Sequence, residues 1–130
     1  MTIANWCVLI ACVLPTATIG LAKIASARLP RGEGRYNNKR PREWTASLSG
    51  WQARANAAQM NGFEILPLFI AAVVLAQQAH ADQARIDLLA MSFIGLRLVY
   101  IALYLANIDA LRTLVWIAGL GVSFALIAMS

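Results

Sequence analysis

The chain has 130 residues, of which 60% are hydrophobic and only 13% charged, with a mean hydropathy of +0.63. A soluble domain carries about 25% charged residues, so this chain cannot wet its own surface, and its expected solvent is the bilayer. The net charge of +5 does not point to nucleic acid, because the excess sits in one loop beside an apolar run, where it reports topology, and no nucleic-acid-binding motif accompanies it.

The first apolar run covers residues 3–28, interrupted by Pro15 and Lys23. No basic residue precedes it, as a cleaved signal would require, so it reads as a retained membrane helix kinked at Pro15. Its two cysteines, Cys7 and Cys12, lie about 140° apart on a helix and cannot bridge each other. The loop that follows holds Arg28, Arg31, Arg35, Lys39, Arg40 and Arg42 against Glu33 and Glu43, a net +4. Gly32, Gly34, Asn37, Asn38 and Pro41 make it irregular rather than a further span, and it reads as a solvated, topology-setting segment.

Three more runs cover residues 54–79, 86–106 and 111–129. Each reaches the roughly 20 residues that cross the hydrocarbon core, and none alternates as a barrel strand does. The expected fold is an all-α membrane protein, a single four-helix domain over residues 1–130. The second loop, with His80, Asp82, Arg85 and Asp87, is balanced. The positive-inside rule then puts the first and third loops in the cytoplasm and both termini outside. Trp6 reads as a belt residue near the outer face, and Trp44, Trp51 and Trp116 as belt residues near the inner one.

Polar residues inside the spans carry the information. Arg54, Asn61 and Glu64 share a face of the second helix, and Arg97, Tyr100 and Tyr104 share a face of the third. Glu64 and Arg97 fall at matched depth, roughly 13 Å from the inner ends of their helices, which predicts an intramembrane ion pair. Gln59 lies on another side of its helix and is expected to meet a different neighbour. With Arg28 ending the first helix and Arg112 opening the fourth, cations outnumber carboxylates in the inner half, an arrangement suited to an anionic ligand. The single histidine, His80, excludes a histidine metal site or a Ser-His pair, so no metal is expected.

The stretch Arg54 to Phe69, RANAAQMNGFEILPLF, resembles the second-helix motif of the MAPEG family (membrane-associated proteins in eicosanoid and glutathione metabolism), in its leukotriene-synthase branch. Ala58, Gln59, Asn61, Glu64, Pro67 and Phe69 match without a gap. Arg28, Arg97, Tyr100 and Tyr104 fall where that branch places an Arg at the end of the first helix and an Arg with two ring residues in the third. The resemblance implies a homotrimer, in a bacterial inner membrane, that binds glutathione between subunits on the cytoplasmic side. It implies glutathione contacts at Arg28, Gln59, Asn61, Glu64, Tyr100 and Tyr104. Arg54 and Arg97, on the same faces, complete the candidate set. Arg112 would stabilise the thiolate with Tyr104 as second donor, since a nearby cation lowers a thiol's pKa and the thiolate is the nucleophile.

The expected function is a membrane glutathione-dependent transferase or peroxidase acting on lipophilic electrophiles or hydroperoxides that arrive from the membrane lipid. The rival is a non-catalytic scaffold that binds a lipid or small anion in the same pocket. Ala57, standing where the enzymes resembled have a second Arg, favours it. A small multidrug transporter fits less well, because the one membrane carboxylate, Glu64, is in the second helix rather than the first.

Overall fold

The computed structural model describes residues 1–130 and is entirely helical: α1 (Ile3–Ser26), α2 (Pro41–Ala46), α3 (Gly50–Gln78), α4 (Gln83–Leu105) and α5 (Asp109–Ile127). Four of these, all but α2, are long and apolar enough to cross a membrane. α1 packs chiefly on α3, and α5 chiefly on α4, so the two flank a central α3–α4 pair. α1 runs unbroken through Pro15 and α3 through Pro67.

α1 starts where its apolar run does, at Ile3, whereas α3, α4 and α5 start two to four residues before theirs. Ser49 is extended, and Gly50 at φ 58° turns the chain into α3 four residues ahead of Arg54. The hydrophobic boundary marks where a span enters the hydrocarbon, whereas the helix extends until its backbone is capped. Asp82 caps α4 through the Ala84 N–H at 3.2 Å. The C-terminal ends of α3 and α4 close through His80 and Asn107, both in the left-handed region at φ 58° and 61°. The following amides then bond back into the last turn, Ala81 N–H to Ala76 O at 3.1 Å and Ile108 N–H to Leu103 O at 2.9 Å.

The main core lies in the half of the bundle near the termini. Ala4, Cys7 and Ala11 of α1, Phe69, Ala72, Val73 and Ala76 of α3, Ile86, Ala90 and Phe93 of α4 and Leu126 of α5 form one buried cluster. The α3 members recur at i, i+3, i+4 and i+7, one helical face. Alanines let the backbones approach, as membrane helix packing requires, and the Phe69 and Phe93 rings stack at 3.9 Å, 7° from parallel. At Gly62 the approach is closer still. A Cβ there would lie 2.8 Å from Cγ of Pro15, so the proline ring of α1 sits in the notch this glycine leaves in α3.

The ends of the bundle are fastened differently. At the terminal end, the Ala4 N–H of α1 donates to Asp87 Oδ1 of α4 at 2.9 Å, and Gln77 of α3 joins Thr2, Asn5 and Gln83 through its side-chain amide. The second loop's balanced charge therefore does not mean a wholly solvated segment, because Asp87 points into the bundle and caps the N-terminus of α1. At the other end, the first loop is folded rather than loosely solvated. Its six-residue helix α2, with Pro41 at the first position, delivers Trp44 into a second buried cluster with Ile19, Ala22 and Ala55. The indole N–H of Trp44 donates to Gly34 O at 3.0 Å, the ring meets Tyr36 edge-on at 5.0 Å, and Lys23 lies over the other aromatic at 4.4 Å. Trp44 is therefore a core residue of the loop, not a belt residue. The closed ring of contacts around it excludes water and lipid alike.

Candidate functional site

The inward stripe of α4 that carries Ile86, Ala90 and Phe93 continues with Arg97 and Tyr100, both buried. A helix that placed only apolar residues on this stripe would extend the core. Here it brings a guanidinium into the middle of the bundle, and the neighbouring helices supply what that charge needs. Arg97 Nη1 donates to Asn61 Oδ1 of α3 at 3.0 Å, and the guanidinium lies 4.1 Å from the ring centre of Tyr100. Tyr100 meets Tyr104 edge-on at 5.7 Å, and the guanidinium of Arg112, from the first turns of α5, lies 4.2 Å over the Tyr104 ring. The result is a ladder in which two guanidinium groups enclose two rings, from Asn61, which accepts from Arg97, through Tyr100 and Tyr104 to Arg112. The stacked guanidinium planes are held by the ring faces.

Beside this ladder opens a concavity of about 160 Å³ lined by Asn61, Tyr100, Arg112, Thr113 and Trp116. The two ion pairs of the chain, Arg40–Glu43 and Arg85–Asp82, are both exposed and distant in sequence from it. Arg97 and Arg112 thus carry positive charge with no carboxylate in pairing range. Such a concavity can hold an anion, and a carboxylate or thiolate entering it would meet preorganised donors rather than water.

The expected Glu64–Arg97 pair is not formed. Arg97 meets the side of α3 that carries Ala58, Asn61, Gly62, Ile65 and Leu66, and Glu64 is about 200° round the helix from Gly62. Close packing of Pro15 against Gly62 fixes that rotation, so Asn61 takes the guanidinium and Glu64 faces outward, exposed. Of the face expected for Arg54, Asn61 and Glu64, Arg54 and Asn61 both turn toward α4 while Glu64, at its edge, is exposed.

Of the candidate residues, Asn61, Arg97, Tyr100, Tyr104 and Arg112 come together. Arg54 lies apart, its Nε and Nη2 donating to Leu105 O at 3.2 and 3.1 Å, where they satisfy a carbonyl left open at the end of α4. Gln59 makes no hydrogen bond to a neighbouring helix and donates instead to Asn56 Oδ1, one turn earlier, at 3.2 Å. Arg28 is exposed in the turn after α1. Thr113 and Trp116 line the concavity without having been singled out for it. Trp116 is one turn after Arg112 and so on its face. Reading it as a belt residue overlooked that register, and its indole N–H is in fact enclosed, with no hydrogen-bond partner in the chain.

A model of the MAPEG family matches residues 3–130, essentially the whole chain. No curated protein and no solved structure matches it.

Proposed function

The chain belongs to the MAPEG family, and on that premise we propose that it is a membrane glutathione-dependent transferase or peroxidase acting on lipophilic electrophiles or hydroperoxides. The observation that carries this reading is the Arg112 guanidinium, stacked on Tyr104 at the wall of a concavity that also presents Asn61 and Tyr100. Glutathione brings two carboxylates, an ammonium and a thiol. The cations and amides of the site suit the carboxylates, and Glu64 on the outer face suits the ammonium of a ligand bound between subunits. Arg112 holds the sulfur as thiolate, with the Tyr104 hydroxyl as a second donor. The thiolate attacks the electrophilic carbon and displaces the leaving group, or attacks the terminal oxygen of the hydroperoxide, breaking the O–O bond to release the protonated alcohol and leave a glutathione sulfenic acid, which a second glutathione converts to the disulfide with loss of water.

Glu64 supports an oligomer, since a carboxylate on the outside of a membrane-spanning helix needs protein rather than lipid beside it, and the family makes a homotrimer the expected form. The net +4 of the first loop supports an orientation with that end in the cytoplasm and both termini outside. The test is calorimetric glutathione binding together with turnover of a chlorodinitrobenzene electrophile and of cumene hydroperoxide. Arg112→Ala is expected to keep glutathione affinity within about threefold while lowering turnover by about 100-fold or more, the size of effect seen when one preorganised donor to a developing anion is removed. Full turnover in this variant would refute the assignment. Ala57, an uncharged side chain where the enzymes resembled have an Arg, favours a second reading, a non-catalytic lipid or small-anion binder. Wild-type glutathione binding without turnover of either substrate would support that one.

A further inference from the structure

The first loop presents six cations, and the fold uses none of them to hold itself together. Its framework is neutral: the Tyr36 N–H donates to Ser26 Oγ at 3.0 Å, the Trp44 indole donates to Gly34 O, and Trp44 is buried against α1 and α3. The cation nearest this framework, Lys23, belongs to α1 and is occupied by the Tyr36 ring. Of the loop's own, Arg40 is paired with Glu43 at 3.5 Å, while Arg28, Arg31, Arg35, Lys39 and Arg42 have no partner in the chain and are exposed. The loop is therefore a rigid platform carrying unpartnered positive charge. It is fixed between the end of one membrane span and the start of the next, with Leu29 and Trp51 exposed at its rim. A charged surface held at that level meets phosphodiester headgroups, and clusters of four to eight basic residues next to a span attract anionic lipid.

We propose that this face is a docking surface for the headgroups of anionic phospholipids in the membrane that the chain spans. Anchoring by Trp44 sets the basic side chains on a fixed framework, so less ordering is required when headgroups bind than in a disordered basic tail.

The test reconstitutes the full chain in phosphatidylcholine bilayers containing about a third phosphatidylglycerol, extracts it in mild detergent, and counts retained lipid by native mass spectrometry. The wild type is expected to retain phosphatidylglycerol above its bilayer proportion, by on the order of fivefold per engaged cation at low salt, with the enrichment declining as salt rises. Arg31→Gln/Arg35→Gln/Arg42→Gln is expected to retain lipid in the bilayer ratio, and the corresponding triple Lys variant to behave as wild type. Equal enrichment in wild type and the Gln variant, no enrichment in wild type, or displacement of the lipid by millimolar inorganic phosphate (the mark of a free-anion site) would each overturn the proposal. Should the Gln variant unfold, the salt series and the phosphate competition on the wild type decide the matter.

Discussion

Asn61 does for Arg97 what a carboxylate was expected to do. A lone guanidinium inside the bundle needs partners, and the amide oxygen at 3.0 Å takes one of its donors while the Tyr100 face lies against its plane, neither cancelling the charge. Asn61→Leu is therefore expected to destabilise the detergent-solubilised protein by about 1.5–3 kcal/mol, the range for losing a hydrogen bond to a charged group. The double variant Asn61→Leu/Arg97→Leu should recover most of it. Thermal unfolding of both variants checks this, and a double variant no better than the single would show that Arg97 is held by something other than Asn61. The three-and-four spacing of Arg97, Tyr100 and Tyr104 was enough to read the cluster from sequence, because spacing fixes which residues share a helix face. The partner of Arg97 was not readable, because it depends on how α3 is turned about its own axis. That rotation is set by a contact between Gly62 and Pro15, residues 47 positions apart.

At the level of the helices, that same contact is the most exposed to change. The methyl of Gly62→Ala would have to displace a proline ring, which has no rotamer to yield, so α1 and α3 must separate. A loss of about 1–3 kcal/mol is expected from the overpacking, measured as a lower unfolding midpoint, with partial recovery when Pro15→Ala removes the ring. The spans themselves were legible from length and hydropathy, quantities that the bilayer dictates. α2 was not, because six residues are too few for a periodic signal and its cue, Pro41 ahead of Trp44, was read as loop chemistry. Trp44→Ala is expected to loosen the whole 27–49 segment and cost about 3–5 kcal/mol. Limited proteolysis should then cut within that segment at a rate well above wild type, and unchanged resistance would show that the loop is held without its tryptophan.

Across the whole molecule, the hydrogen bonds between helices are unevenly shared. α1, α3 and α4 are tied by Asp87, Gln77 and Thr2 at one end and by Arg97, Arg54 and Gln52 further along. The side-chain hydrogen bonds of α5 are all local, such as Thr113 to Asp109 O at 3.1 Å. Its ties to the rest are apolar packing and the stack of Arg112 on Tyr104. This has a consequence for biogenesis. As the chain is synthesised, the first three spans to emerge already hold every polar fastener they will have with one another, and can associate before the fourth is made. The last span then docks onto a finished surface, and the concavity comes into being at that moment, because Arg112, Thr113 and Trp116 arrive together on it. A nascent chain halted before α5 would hold its interhelical polar bonds but lack the site, and would leave the side of Arg97 and Tyr100 that α5 covers open.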